Sequence, residues 1–506
     1  MKYNAYFGDI HNHCGISYGH GSIEDAYRNA QLQLDFASVT GHSSWPDMPK
    51  DDAKLKSVVE YHEKGFARLR ESWRRYNAVT EQINTPSRFV TFPSYEWHST
   101  RYGDHVFYSK DPRASMEYAQ TLEQWRSLIR TMREEGNDCF LIPHHIGYKQ
   151  GYRGIDWDSF CREISPVVEI VSMHGCAESD DAPRAYLHTM GPRNSSNTMQ
   201  AGLAKGYHFG VVGSSDHHSA HPGSYGHGKM GVWAPELTRK AIWDAIEHRR
   251  TWALTGDRIE LDFFLNGEPM GSIVSPVERR DIDISIKGGY ALDHVEIVKN
   301  NRVLRRFDFT QRAAVDPGVP LHGKVFIEVG WGEKDREQSW DLSVEVEGGT
   351  LVSVEPRFRG ADIVAPRAEG VETFRPSDWR RIGESGVCFQ TVTYGNPTTV
   401  SNANQGMSLE IQGNGDTVLK MKANGMQLHV SLSELLRGSV SRYLGGFLTG
   451  AVQVHRFVPE AEYSATLQYE DRGHLGYDDF YYVRVAQKNG QWAWSSPIRV
   501  DRSRTA

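Results

Sequence analysis

Two histidines near the amino terminus are spaced so that both can bind one metal ion. His11 and His13 lie two residues apart in the segment DIHNHCG, at the end of a predicted strand. Because residues i and i+2 of a strand project from the same face, both imidazoles can reach one ion. Two surface histidines near a turn would show the same spacing. The other strand ends of the first half decide between these interpretations.

Further residues with metal-ligand side chains follow other predicted strands of the first half. They are His42 in VTGHS, Glu96 in FPSYEWH, His144 and His145 in LIPHH, Asp216 and His218 in VGSSDHH, His105 in GDHVFY and His174 in VSMHG. Side chains at the carboxyl ends of parallel strands converge on one edge of an α/β fold. Imidazole is a neutral ligand for transition metals, and carboxylates offset the charge of the ions. We therefore predict a site for two or three divalent ions, with zinc, manganese and iron all compatible with this ligand set.

A site of this composition is suited to hydrolysis. Glu96 can bridge two metals, and Asp216 can anchor them; metals about 3.5–4 Å apart can share a hydroxide that attacks the substrate. His145 is a candidate proton donor or substrate contact. Arg101 and Arg153 lie in loops after ligand-bearing strands, where a guanidinium can bind two oxygens of an anion. Surface arginines would fit the pattern equally well.

The elements that must position these residues alternate along the first half. Strands are predicted at 6–10, 36–40, 89–95, 105–108, 139–143, 167–172 and 209–213, and helices at 22–33, 51–83, 121–135, near 195–205 and at 238–250. Ser22 is suited to cap the first of these helices. Strands that alternate with helices predict βα units and a parallel sheet or barrel.

The character of the sequence changes near residue 256. Of the 22 histidines, 17 precede this point, and strand-like segments with turn signals follow it. One of them predicts a hairpin with its turn at Asn489 and Gly490. We predict a metal-binding, catalytic domain over 1–255 and an accessory domain over 256–506. The second domain is expected to be mainly an antiparallel β-sandwich with a helical insert near 431–444.

The composition excludes several classes of protein. Hydrophobic residues make up 39% and charged residues 24% of the 506 residues, as in ordinary globular proteins. No segment approaches the ~18 apolar residues of a membrane span, and the amino terminus lacks the apolar stretch of a signal peptide. The net charge of −7 and the lack of a long basic run argue against a nucleic-acid partner. Five scattered cysteines favour a cytoplasmic location. We expect a small, anionic substrate, and the sequence does not predict the oligomeric state.

The set of motifs resembles the PHP (polymerase and histidinol phosphatase) superfamily. The similarity rests on HxH at the first strand, a later histidine at a strand end, a lone glutamate, PHH and the closing GSSDHH. It extends over nearly the whole chain to an uncharacterised branch with a C-terminal β domain, through segments such as DFASVTGHS, HHIGYKQGYRGIDWD and GVVGSSDHH. The resemblance implies a distorted (β/α)7 barrel, up to three metals and metal-dependent phosphoesterase activity.

The resemblance also implies which residues bind each ion. The first ion would be bound by His11, His13, Glu96 and Asp216; the second by Glu96, His144 and His105, or His174 in place of His105; the third by His42, His218 and His20. Gly41 stands where the family usually has an acidic residue, which leaves the occupancy of the third position open. His20, in YGHGS, fits an exposed loop residue equally well.

Three functions are compatible with these residues. The first is a phosphoesterase. The alternative is an amidohydrolase-like enzyme acting on an amide or a carbon ester, because a metal-activated hydroxide can also attack a carbonyl. The third is a non-catalytic metal-binding module. The preference for phosphate comes from the resemblance. Metal stoichiometry separates the third function, since a structural site tends to hold one saturated ion.

Overall fold

A computed structural model describes residues 2–334, 336–361, 377–396 and 402–504. Helices are a minor part of the described chain. They are α1 (Ile23–Gln31), α2 (Lys56–Ile83), α3 (Leu122–Glu134), α4 (Met199–Ala204), α5 (Arg239–Glu247), α6 (Leu432–Arg437) and α7 (Glu460–Tyr463). None of these described helices is both long and apolar enough to cross a bilayer.

Strands dominate both halves of the described chain. Those of the first half are β1 (Asn4–Asp9), β2 (Phe36–Ala37), β3 (Gly41–Ser44), β4 (Val90–Thr91), β5 (Ser94–Trp97), β6 (His105–Ser109), β7 (Cys139–Pro143), β8 (Val167–Ser172), β9 (Gly175–Cys176), β10 (Gly210–Gly213), β11 (Lys229–Ala234) and β12 (Thr251–Leu254). Those that follow are β13 (Glu260–Leu265), β14 (Glu268–Pro269), β15 (Ile273–Val274), β16 (Arg279–Lys287), β17 (Leu292–Lys299), β18 (Arg302–Asp308), β19 (Leu321–Trp331), β20 (Glu337–Glu347), β21 (Thr350–Arg357), β22 (Asp378–Ile382), β23 (Gly386–Tyr394), β24 (Gln405–Gly413), β25 (Val418–Ala423), β26 (Met426–Ser431), β27 (Val440–Tyr443), β28 (Gly450–Val454), β29 (Val458–Pro459), β30 (Ser464–Arg472), β31 (Asp479–Gln487), β32 (Trp492–Ser495) and β33 (Ile498–Val500).

The first half contains parallel strand pairs, as the sequence predicts, and two capped helices, one of them with the predicted cap at Ser22. Strand β2 pairs in parallel with β1 and β4, β3 with β5, and β8 with β10. The hydroxyls of Ser22 and Thr121 accept hydrogen bonds from backbone N–H groups in the first turns of α1 and α3. Such caps satisfy donors that have no partner within the helix.

The edge formed by β6 and β7 departs from the predicted parallel pattern. Strand β6 runs antiparallel to both β5 and β7. Only residues 98–104 separate β5 from β6, which is too short for the crossover of about a dozen residues that a parallel pair requires. The described strands form six sheets, and none of them closes into a barrel. The described residues therefore form a strand-rich α/β fold of open sheets. They do not form the closed seven-stranded barrel that the resemblance implies.

One eleven-stranded sheet continues across residue 256, where the sequence predicts a domain boundary. Its main path runs β15-β33-β31-β32-β12-β11-β1-β2-β4, and β17 joins it on β31. The antiparallel hairpin of β31 and β32 confirms the turn predicted at Asn489 and Gly490. This hairpin pairs with β12, so the end of the chain completes a sheet that begins at β1.

The second half contains two packed pairs of sheets, where the sequence predicts one sandwich. The sheet around β19 and β24 and the sheet around β20 and β23 share one core, which includes Val325, Leu342 and Leu409. The sheet of β13 and β16 shares a second core with the eleven-stranded sheet, which includes Leu261 and Val483. The predicted helical insert is shorter than expected, because α6 ends before Gly438 and the next segment forms strand β27.

Candidate metal centre

Backbone hydrogen bonds between neighbouring strand ends bring the predicted ligands together. The N–H of His13 donates to the carbonyl of His217 at 2.7 Å, and the N–H of Asp216 donates to the carbonyl of His11 at 2.8 Å. On the adjacent sheet, the N–H of His144 donates to the carbonyl of Asp104, just before β6, at 3.0 Å. The ends of β1 and β10 thus lie side by side, and the end of β7 is close to them, because the ring centroids of His11 and His144 are 4.1 Å apart.

Asp216 is surrounded by four imidazoles. Its Oδ1 lies 3.3 Å from Nε2 of His11 and 3.0 Å from Nε2 of His13. Its Oδ2 lies 3.0 Å from Nε2 of both His145 and His174. The two oxygens therefore face different pairs of imidazoles. A carboxylate in this arrangement can bind two ions, one through each oxygen.

Glu96 has a similar arrangement on the opposite side of His13. Its Oε2 lies 2.6 Å from Nδ1 of His42 and 3.5 Å from Nε2 of His13. Its Oε1 lies 2.7 Å from Nε2 of His144 and 3.3 Å from Nδ1 of His98. His13 thus lies between the two carboxylates, so the two groups of donors form one continuous centre.

The protonation states of these groups suit metal binding. Burial disfavours the ionised form of both carboxyl groups. The surrounding histidines outweigh this effect and hold the pKa of Asp216 and of Glu96 well below their ordinary values. Burial, helped by His13, lowers the pKa of His218 to about 3 and holds the pKa of His42 well below its ordinary value. The carboxylates are ionised and these imidazoles neutral, which are the forms that bind metals.

His11 differs from these histidines because Glu169 lies behind its ring. Its Nδ1 lies 3.0 Å from Oε2 of Glu169. Burial disfavours the imidazolium, but Glu169 and Asp216 outweigh it and raise the pKa of His11 to about 10. A carboxylate behind a metal-binding histidine fixes its tautomer and ring orientation. Binding of an ion at Nε2 would displace the second proton of His11, while the proton on Nδ1 stays with Glu169.

The donors fit divalent ions. Several groups of three have ligand atoms within 4.8 Å of one another, and these groups include His11 with His13 and Asp216, and His11 with Glu96 and His144. The Nε2 atoms of His11 and His13 are 3.1 Å apart, a spacing expected for two ligands bound to one ion at about 2.0–2.1 Å. Buried carboxylates are usually balanced by cations or metals, and here most of their neighbours are imidazoles.

Two further predicted ligands, His218 and His20, lie beside this group of donors. His218 donates from Nδ1 to the carbonyl of Asp216 at 2.8 Å, and it forms a group with His13 and His42. The backbone N–H of His20 donates to the carbonyl of His218 at 2.8 Å, which places the YGHGS loop against the centre.

Of the two alternatives for one ligand, the structure places His174 against Asp216. His105 instead donates from Nδ1 to the carbonyl of Gly103 at 2.9 Å. Burial lowers the pKa of His105 to about 4, so its ring is neutral. Which of the two binds metal stays a prediction.

The two predicted arginines occupy different environments. Arg101 is exposed, and its guanidinium lies 4.9 Å from the ring of the tyrosine that follows it. The Arg153 side chain is only 12% exposed and forms an ion pair with Asp104. Its Nη2 lies 2.5 Å from Nδ1 of His98 and 4.0 Å from Oε1 of Glu96. The structure thus brings Arg153 to the centre and leaves Arg101 at the surface.

His98 and Asp104 lie at the centre although the motifs do not single them out. His98 is two residues after Glu96, so the alternation that identifies His11 and His13 also applies to it. Asp104 directly precedes His105, and its Oδ2 lies 3.3 Å from Nδ1 of His98. In this loop the carboxylate of Asp104 faces the centre, whereas the imidazole of His105 forms a hydrogen bond with a backbone carbonyl.

Three residues of the centre have left-handed backbone conformations that non-glycine residues rarely adopt. The φ angles are 51° at His145, 51° at Asp216 and 67° at Arg153. Such conformations persist only where the surrounding structure enforces them, and they concentrate at functional sites. The strain supports a functional role for the ends of β7 and β10.

Comparison with known proteins finds uncharacterised relatives. Residues 223–268 match a family described as "Protein of unknown function (DUF3604)", and this match begins after the last predicted ligand. The chain is 24% identical over 255 residues to an uncharacterised protein of Chlamydia pneumoniae, covering 46% of this chain and 40% of that protein. A protein of Chlamydia muridarum is 24% identical over 258 residues, covering 47% and 41%. The chain thus spans about two fifths of the length of these curated relatives.

One solved structure overlays most of this chain. It is a two-domain protein from Bacteroides vulgatus, described as containing a predicted PHP-like metal-dependent phosphoesterase. The identity is 13%, the TM-score is 0.30, and the overlay covers 85% of this chain and 95% of that one. At this TM-score, the arrangement of donors around Asp216 and Glu96 carries the functional argument.

Proposed function

We propose that the protein is a metal-dependent phosphoesterase that hydrolyses a small anionic substrate. The observation that carries the proposal is the pair of buried, ionised carboxylates, Asp216 and Glu96, whose oxygens face different imidazoles. Divalent ions bound there would supply an activated water and neutralise the charge that develops on a phosphoryl group. The preference for phosphate over a carbonyl substrate rests on the sequence resemblance.

The side chains of the centre have distinct tasks in this proposal. Asp216 and Glu96 hold the ions and remain ionised because the adjacent histidines favour their charged forms. Glu169 orients His11 from behind through its contact with Nδ1. His13, between the carboxylates, links the two groups of donors.

A row of imidazoles leads from Asp216 toward solvent. The ring centroids of His145 and His174 are 4.8 Å apart, and those of His174 and His188 are 4.3 Å apart. His188 is half-buried, and burial together with His174 lowers its pKa to about 4. The row can exchange protons with a leaving group, and burial lowers the pKa of its two end members, His145 and His188. We assign the substrate to this side of the centre.

The test is hydrolysis of a chromogenic phosphomonoester and phosphodiester by manganese-loaded protein. Asp216→Ala should lose turnover together with the bound metal. The matched control is Asp158→Ala, because Asp158 is an exposed carboxylate that pairs with a surface lysine. Near-normal turnover by Asp216→Ala would contradict the proposal. Cleavage of a chromogenic carboxyl ester or amide, with neither phosphate ester cleaved, would instead support the amidohydrolase-like alternative.

A further inference from the structure

We propose that the guanidinium of Arg153 occupies a cation position of this centre that would otherwise bind a divalent ion. The position is defined by three donor atoms: Oε1 of Glu96, Nδ1 of His98 and Oδ2 of Asp104. This inference depends on the proposed metal centre and concerns which cations balance the charge of its carboxylates. It predicts that neutralising Arg153 adds one metal ion to the protein.

Nδ1 of His98 is spaced from each of the two carboxylate oxygens as one ligand of an ion is from another. Nδ1 of His98 lies 3.3 Å from Oε1 of Glu96 and 3.3 Å from Oδ2 of Asp104. Two ligands at about 2.0–2.1 Å from one ion, at angles near 90–110°, are about 3.0–3.4 Å apart. One imidazole and two carboxylates are also a common ligand set for transition metals.

Arg153 places its charge at this position. Its Nη2 lies 2.5 Å from Nδ1 of His98, forms an ion pair with Asp104 and lies 4.0 Å from Oε1 of Glu96. The guanidinium carbon lies 4.9 Å from the ring centroid of Trp45, which covers it from another side. A guanidinium keeps its charge at any physiological pH, so this cation is permanent.

The loop that carries Arg153 is fixed by its backbone. The N–H of Arg153 donates to the carbonyl of Thr100 at 3.3 Å, and Arg153 has a left-handed conformation. A Cβ atom at Gly154 would lie 1.7 Å from the carbonyl oxygen of Tyr148, so the turn requires glycine there. The side chain is therefore delivered to the donors by a turn with little freedom to open.

A metal ion and this guanidinium exclude each other. A divalent ion bound to Asp104 and His98 would lie within a few ångströms of Nη2, where two cations repel strongly in a buried site. Asp104 forms its ion pair with Arg153. With Arg153 in place, the charge of Asp104 is already balanced.

The test is the number of metal ions per chain, measured by plasma mass spectrometry after loading with manganese and removal of free metal. If the wild-type protein binds n ions, Arg153→Gln should bind n + 1, and Arg153→Lys, which keeps a cation, should bind n. Adding Asp104→Asn to Arg153→Gln should return the count to n. Arg101→Gln removes an exposed arginine from the neighbouring loop and should also leave n.

Two results would overturn the inference. A count of n for Arg153→Gln would show that the guanidinium excludes no ion. A count of n − 1 for Asp104→Asn alone, in the wild-type background, would show that Asp104 already binds metal beside Arg153. These results leave the proposed function intact. A wild-type protein that binds no ion would overturn the proposed function itself.

Discussion

Two of the places where the molecule buries carboxylates balance their charge in different ways. At the junction of its two halves, Asp257 accepts hydrogen bonds from Tyr225 at 2.7 Å, Gln487 at 2.7 Å and Asn489 at 2.8 Å. Its Oδ1 also lies 3.2 Å from Nη2 of Arg357. We call these five residues the junction cluster. Both oxygens of Asp257 are occupied by protein donors, so the cluster needs no external ion.

The metal centre has the opposite balance. Asp216 and Glu96 are also buried, but most of the side chains beside them are imidazoles, and burial lowers the pKa of His13, His42 and His145. The cations of the centre are Arg153, which pairs with Asp104 at its edge, and His11, whose pKa Glu169 and Asp216 raise to about 10 against its burial. Buried charges are retained in proteins when they are paired or coordinate metals. The comparison teaches that a buried carboxylate surrounded mainly by imidazoles, and not by amide, hydroxyl and guanidinium donors, marks a place for an external cation.

The largest expected effect comes from breaking the metal centre. Asp216→Ala removes the carboxylate that faces four imidazoles, and we expect turnover to fall at least about 10³-fold. The metal content should fall with it, while the folded structure remains. Initial rates and metal content of the same preparations check this. Loss of turnover with full metal content would show that Asp216 acts in some way other than holding ions.

Breaking the junction cluster should affect stability and leave the metals in place. Arg357→Met leaves Asp257 buried without its cation, which should lower the free energy of unfolding by about 3 kcal/mol. Denaturant unfolding measures this loss, and metal content should match the wild type. If Arg357→Met lost metal but kept its stability, the result would contradict the distinction between the junction cluster and the metal centre.

Metal removal should destabilise the wild-type protein alone. An ion present at about 100 times its dissociation constant stabilises the folded state by about 2.7 kcal/mol. Chelation should therefore lower the melting temperature of the wild type, whereas that of Asp216→Ala should hardly change. Thermal unfolding with and without chelator tests this. Equal shifts in both proteins would place the stabilising ion elsewhere.

The smallest effect concerns Asp262, a carboxyl balanced by neither a metal nor an arginine. Burial raises its pKa from 3.8 to about 6. Since the folded state holds this proton more tightly, the carboxyl favours folding below pH 4, and the contribution is lost as pH rises through 6. Asp262→Asn should therefore be more stable than the wild type by about 1 kcal/mol at pH 7–8, a value reduced for partial exposure.

Paired unfolding curves at pH 4 and pH 8 provide the measurement for Asp262. The advantage of Asp262→Asn should be present at pH 8 and should disappear at pH 4, where the carboxyl is protonated in the folded state. A difference that does not depend on pH would point to packing rather than titration.

Local patterns predict much of the first half. The cap at Ser22 and the strand Cys139–Pro143 follow from residue types and hydrophobic runs, which act over a few positions. The same patterns place His11, His13 and Asp216 at strand ends, and the structure brings these three together. Convergence was predictable because neighbouring strand ends share one edge of the fold.

Features that depend on distant parts of the chain could not be predicted. The pairing of β12 with β32 joins residues about 240 positions apart, and no local signal specifies it. The ion pair of Arg153 with Asp104 depends on how two loops pack, so the motif suggests a substrate contact while the structure shows an internal partner. The alternation of strands and helices predicts a parallel sheet, but β6 lies antiparallel to β5, because residues 98–104 are too few for the crossover of a parallel pair.

Anomalous diffraction from crystals loaded with manganese or zinc tests the central claim most directly. The account predicts at least one peak within about 2.1 Å of Nε2 of His11 and of His13 and beside a carboxylate oxygen of Asp216. It also predicts no peak at the junction cluster, where Asp257 is already satisfied. Metal-loaded crystals without anomalous density between Asp216 and Glu96 would contradict the account.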